Sequence, residues 1–213
     1  MKVKVTAPSS LNEISLSQYQ EYLSIEQPEP LDFLEIFLRL SKDILKKIPY
    51  KSALSAENDI KTMFDEDPKF HQRFYLNGVE YGFIPNLDKI THGEYLDITE
   101  TIGDWEKIHV AMSVLYRPIV SKKKQKYLIE EYEPNKNISE IKSMPLGVCL
   151  GAIVFFYNLA NELLKAIPNY LIQTEEQKKS SLKNGEDIIK YSQLLKVMSE
   201  GLTKLQPFHY TPI

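Results

Sequence analysis

Apolar residues recur along this chain at two spacings, and the change from one to the other marks its elements. Residues three and four apart share a helix face, whereas alternate residues share a strand face. The first helical pattern opens at Ser15-Leu16-Ser17-Gln18, a capping-box sequence, with Leu16, Tyr19 and Leu23 on one side as far as about Ser24. Gln27-Pro28-Glu29-Pro30 is a linker whose prolines stop one helix and preset the next. From Leu31 the stripe is Phe33, Phe37, Leu40 and Ile44, so the helix either continues through Ile48 or restarts near Ser41, and Pro49 ends it. A further helix is expected from Ser55 to about Phe64.

The central stretch, Thr91 to Pro118, carries two more helix starts. Thr91-His92-Gly93-Glu94 reads as a second capping box for a short helix from about Gly93 to Thr99. Gly103 breaks it, and Asp104 caps a helix with Trp105, Ile108, Ala111 (or Met112) and Leu115 on one face. Tyr116-Arg117-Pro118 ends that helix, because proline disfavours helical geometry in the residue before it. Ile138 to Ser143 is one helical turn or two. Pro145 then starts a long apolar helix with Leu146, Leu150, Ile153, Tyr157, Ala160 and Leu164 on one stripe, ending at Pro168. Gly147 and Gly151 suit close packing of that helix. The polar stretch from Gln173 to Gly185 separates it from a last helix, Glu186 to Leu205.

Strand patterns are fewer. In His71–Pro85, Phe74 and Leu76 oppose Val79 and Tyr81 across Asn77-Gly78, a pair suited to a type I′ turn because both positions need positive φ. Lys2 to Thr6 alternates like a short strand. Ile119 to Glu133 forms either a second, longer hairpin or a flexible arm. Its basic middle, Ser121 to Lys126, and its acidic end, Glu130 to Glu133, are expected to pair across it. The fold class is therefore α+β and predominantly α-helical: about seven helices forming a core, with one or two small β-hairpins. The expected organisation is a single domain over 1–213. Within it lie a helical part (1–65), a hairpin (70–85), the arm (119–133), C-terminal helices (138–205) and an extended tail (206–213).

With 43% hydrophobic and 26% charged residues, the chain can bury a core and is too apolar for a disordered segment. A net charge of −3 argues against a general nucleic-acid binder, which carries a strong basic excess. The single Cys rules out an internal disulfide and a cysteine-based zinc cluster, and suggests a reducing compartment. The start, MKVKVTAPSS, has no apolar signal core. The most apolar run, Met144 to Tyr157, falls short of the roughly 20 residues of a membrane span, so it reads as a buried helix with no membrane span expected.

Motif chemistry is absent: there is no glycine-rich phosphate loop, CxxC, HExxH or GxSxG. Neither a catalytic residue nor a cofactor or metal ligand is assigned. His109, alone among apolar positions, reads as a half-buried or exposed helix His, and Asp65-Glu66-Asp67 as a solvated turn. The candidate protein-contact residues are Trp105, Tyr116, Arg117, the lysines Lys122, Lys123, Lys124 and Lys126, and Phe208 and Tyr210 in the tail QPFHYTPI. Arg117 has a second reading, as the partner of its own helix end or of a nearby carboxylate. The lysine run lacks the interleaved aromatics or Arg that stack on or read bases, so a DNA contact there is weak.

Three segments resemble small structural proteins of tailed bacteriophages, the crAss-like phages among them. Leu11 to Tyr22, LNEISLSQYQEY, is similar to their opening L-x-E-I-T-L-x-Q-Y-Q, with Ser15 in place of Thr. GEYLDI…DWEKIHVAMSVLYRPI resembles their GE(F/Y)IDL…WE-x-LH-x-AM-x-x-LYRP block, and FFYNLANELLKAIPNYL resembles the helix that follows. The resemblance implies a non-enzymatic virion protein assembled in the bacterial cytoplasm. It would be an oligomeric, ring-forming subunit of the portal, head–tail connector or tail, with other virion proteins as partners. The competing readings are an assembly chaperone absent from the mature particle and, more weakly, a small enzyme with a dispersed active site.

Overall fold

The computed structural model describes residues 6–124 and 126–159. Helix α1 (Leu16–Leu23) opens at Ser15 through a complete capping box. The Ser15 hydroxyl accepts from the Gln18 amide at 3.3 Å, and Gln18 Oε1 accepts from Ser15 N at 3.0 Å. Gln18 is buried, and its Nε2 donates to Ile36 O of α2 (Pro30–Leu38) at 2.7 Å, so the cap also fixes the neighbouring helix. That helix stops at Arg39, a left-handed residue with φ 53°, and the chain restarts as α3 (Lys42–Leu45). The restart near Ser41 is thus the alternative that holds. Helix α4 (Tyr50–Met63) begins earlier than Ser55, because Pro49 sits at its N-cap. There a missing N–H costs nothing, since the first amides of a helix lack partners anyway. Tyr22, Phe33 and Phe37 meet at ring distances of 4.7–5.5 Å, joining α1 to α2.

Strands β1 (Arg73–Leu76) and β2 (Val79–Phe83) form the expected hairpin. Phe74 pairs with Tyr81 and Leu76 with Val79, and Asn77 and Gly78 have φ 50° and 80°. The chain then leaves the sheet for α5 (His92–Thr101) and α6 (Ile108–Leu115) and returns as β3 (Tyr116–Lys123) and β4 (Lys126–Ile129). The 119–133 stretch therefore forms a hairpin, and it does not stand alone. β3 pairs antiparallel with β2, Tyr81 opposite Pro118, giving one four-stranded sheet of order β1-β2-β3-β4. Helix α6 starts later than Asp104. Asp104 Oδ1 instead accepts from Glu106 N at 2.9 Å in a turn, which places Trp105 ahead of the helix.

After α7 (Ile138–Ile141) comes α8, residues 146–159, where the described residues end. Its buried side is Leu146, Val148, Cys149, Ala152 and Phe156, while Leu150 and Ile153 are half-buried and Tyr157 is exposed. The buried side is rotated from the expected stripe and carries both glycines, Gly151 approached closely by backbone and Gly147 by side chains. A Cβ on Gly151 would lie 2.1 Å from Lys69 O, and one on Gly147 would lie 2.5 Å from Asn12 Oδ1. The N-terminal segment is tied to the start of α8 by Leu16 N to Met144 O at 2.9 Å and Leu146 N to Ile14 O at 2.8 Å. One hydrophobic cluster runs from Leu11 to Phe156 and draws on both helices and sheet. The fold is α+β and mostly helical, as expected. No helix among the described residues is long and apolar enough to cross a membrane. The strand expected at Lys2–Thr6, the helix over 186–205 and the tail with Phe208 and Tyr210 lie outside the described residues, Thr6 apart, which is not in a strand.

Candidate functional site

Two polar constellations stand out, one buried and one exposed, and β3 runs between them. The buried one joins α5, α6 and β3. Thr91 Oγ1 accepts from Glu94 N at 3.2 Å, and Glu94 Oε2 accepts from Thr91 N at 2.6 Å, completing the cap of α5. The other carboxylate oxygen, Oε1, meets Arg117 Nη2 at 2.5 Å. Glu94 and Arg117 are both buried, so one carboxylate caps a helix and neutralises a guanidinium away from water. A buried charge is tolerated only when it is paired and hydrogen-bonded in this way. Beside them Tyr132 OH donates to Asp97 Oδ2 at 2.6 Å, and its ring fills the space above Gly93, where a Cβ would lie 2.9 Å away. Burial, and then the bond to Asp97, push the Tyr132 phenol up to about 12. A cavity of about 10 Å³ lies between Arg117, Asp97, Ser113 and Tyr132, about the room one water needs. Arg117 Nε is buried without a partner among the described residues.

A second joint flanks this one. Gln20 Nε2 donates to Trp105 O at 2.6 Å and lies 3.2 Å from Glu106 O and 3.0 Å from His109 Nδ1. Two backbone carbonyls fix the amide's orientation, so Nδ1 is the acceptor and the neutral ring carries its proton on Nε2. Burial, assisted by Lys142, lowers the pKa of His109. Trp105 meets Tyr19 edge-on at 4.8 Å. Trp105 and His109 therefore hold α1 against the start of α6.

The exposed constellation is the outer end of the β3–β4 hairpin. Lys122 pairs with Glu80 of β2, which also accepts from Tyr75 OH at 3.1 Å and lies 3.6 Å from Arg73. The pairing with Lys122 holds the Glu80 carboxyl below its ordinary range. Lys123 lies directly opposite Lys126, and Lys124 takes the left-handed conformation, φ 58°. These three side chains are exposed and have no carboxylate partner among the described residues. The expected pairing with Glu130–Glu133 does not form. The register sets lysine against lysine, and Glu130 and Glu133 pair with Lys136 instead.

The residues singled out in the sequence are thus divided. Tyr116 is fully buried, with its OH donating to His71 O at 2.7 Å, and burial raises its pKa. It is a core residue and offers no contact surface. Arg117 takes the carboxylate-paired reading. Trp105 is half-buried in the helix joint. Lys123, Lys124 and Lys126 are presented to solvent, whereas Lys122 is paired. Phe208 and Tyr210 lie outside the described residues. Sequence reasoning missed Glu94 as the partner of Arg117, and Tyr132 with Asp97. The capping box had already given Glu94 a role, and nothing local links it to a residue beyond the next helix. Among the described residues no group of three His, Cys, Asp or Glu can hold a metal, and Cys149 is buried with its thiol pKa raised by burial. Comparison with protein-family models, with curated proteins and with solved structures finds no match to this chain.

Proposed function

We propose that this chain is a non-enzymatic structural subunit of a tailed-bacteriophage particle, an oligomeric component of the portal, head–tail connector or tail. It works through protein–protein surfaces. One observation carries the reading: how the block that resembles phage proteins uses its polar residues. In GEYLDI…DWEKIHVAMSVLYRPI, Glu94 and Arg117 neutralise each other, and His109 and Trp105 meet α1. Glu94, Ile98, Ile108, Ala111, Met112, Leu115, Tyr116 and Arg117 of this block are buried and hold α5, α6 and β3 together, while Leu96 and Glu106 face solvent. A pattern that specifies a scaffold suits a building block, whereas an enzyme pattern presents titratable groups to a cleft.

The test is mass spectrometry with copy-number measurement on purified particles of the phage that encodes the chain. The expected result is a constant multiple per particle, as a ring would give. Absence from particles with abundance in infected lysate would replace this reading with an assembly chaperone.

A further inference from the structure

The β3–β4 hairpin extends the sheet beyond its helical cover, and its two faces differ. Gly82 looks toward Tyr127 and Ile119, whose atoms would lie 2.4 and 3.0 Å from an added Cβ. Those three residues share one face. By alternation, Tyr81, Val79, Val120 and Leu128 share the other. Tyr81 is buried against the core, but Val79, Val120 and Leu128 are 45%, 61% and 65% exposed. A bulge between Ile119 and Ser121 sets Val120 and Ser121 together opposite Leu128. The sheet's core face thus ends in an aliphatic row open to solvent, rimmed by Lys123, Lys124 and Lys126.

One local cost is carried at this rim. Like charges directly opposite on paired strands repel, and no counter-charge among the described residues offsets the Lys123–Lys126 pair. A partner that brings carboxylates would relieve the repulsion at the edge of the row. The chain itself supplies that chemistry. Its net charge is −3, so with these three lysines set aside the remainder is −6. Asp65-Glu66-Asp67, following α4, is exposed and has no cationic partner among the described residues. One molecule therefore displays an uncompensated basic, apolar end and an uncompensated acidic turn, the complementary halves of a head-to-tail contact. Nucleic acid fits less well, since the body of the chain is acidic and repels it.

We propose that the Val79–Val120–Leu128 row and its lysine rim dock on the Asp65–Glu66–Asp67 turn of a second copy of this chain. This deepens the reading of the chain as a ring-forming subunit, and rests on that reading for its setting. The contact is heterologous, so it propagates and either closes into a ring or grows as a filament.

The test uses the full-length chain in analytical ultracentrifugation. The wild type should self-associate with rising concentration, and about tenfold or more weakly near 1 M than near 0.1 M NaCl, because salt shortens the reach of exposed charges. K123E/K124E/K126E and D65K/E66K/D67K should each be monomeric, with unfolding midpoints close to wild type. Mixed together they should associate again, since each restores the other's complement. A wild type that stays monomeric, a variant that associates as wild type does, or a mixture that remains monomeric would each overturn the contact. A photoreactive residue replacing Val120 identifies the occupant. A crosslink to residues near Asp65 of another copy supports the proposal, while one to residues 160–213 of the same chain, or to added duplex DNA, overturns it. Particle mass spectrometry is independent of these outcomes: a virion protein without this contact loses only the inference, and self-association by a protein absent from virions loses only the structural reading.

Discussion

Strand β3 begins and ends with cations in opposite circumstances. Arg117, near its start, is buried, paired with Glu94 and fixed beneath a helix cap. Lys123, at its end, is exposed and faces another lysine. The same sign of charge does different work at the two ends because desolvation sets its magnitude. Buried, neither member of an ion pair can be removed alone without leaving an uncompensated charge away from water. Exposed, a charge is worth little to the fold and remains available to something outside it. The buried joint is where the chain is committed to one structure. The hairpin end is where it has interaction capacity to spare.

Substitutions can break or sharpen this contrast. The largest effect is expected from Glu94→Gln, which leaves the Arg117 guanidinium buried without its counter-charge. Chemical denaturation should register a loss of about 3–5 kcal/mol. Adding Arg117→Met to it should recover much of that loss, because the penalty is for the unpaired charge. A double variant no more stable than Glu94→Gln would mean that the unpaired Arg117 charge is not what the single variant loses.

Gly82→Ala tests the point where the hairpin is clamped to β2. The new methyl would meet the Tyr127 ring, whose OH donates to Phe83 O at 2.7 Å. A loss of about 1–3 kcal/mol is expected for such overpacking, with the tyrosine's fluorescence environment altered as the ring moves. At the outer end the sign reverses. Lys123→Glu replaces a like-charge cross-strand pair with an opposite one and should stabilise the fold by roughly 0.2–1 kcal/mol, read as a raised denaturation midpoint. The same change should weaken self-association, which would separate what the fold prefers from what the contact needs.

The smallest effect should be the pH dependence at His109. Its folded pKa lies below the unfolded value because burial disfavours the imidazolium. Stability from this group is therefore full above the ordinary histidine value of about 6.5 and is lost as pH falls through the depressed folded pKa. Protonation also places a donor against Gln20 Nε2. Unfolding curves at about pH 5 and about pH 8 should differ more for wild type than for His109→Gln. An equal difference in both would assign the pH response to other groups.

What the sequence by itself determined is local chemistry. Ser15 with Gln18, Thr91 with Glu94, and Asn77 with Gly78 each act within four residues, and each forms the cap or turn expected of it. Periodicity likewise located most helices and the mostly helical α+β class, since a stripe of apolar residues depends only on helix geometry. Boundaries set by competing local signals moved: Pro49 starts α4, and the Asp104 turn delays α6. Only the tertiary structure decided that α5 and α6 lie between the two hairpins of one sheet, that Glu94 faces Arg117, and that α8 buries the side carrying Gly147 and Gly151. It also decided that Lys122 is neutralised while Lys123, Lys124 and Lys126 are not. These outcomes depend on register and on close approach between segments far apart in the chain. Neither periodicity nor residue type encodes a partner's position, because pairing across a sheet shifts every neighbour with each step of register.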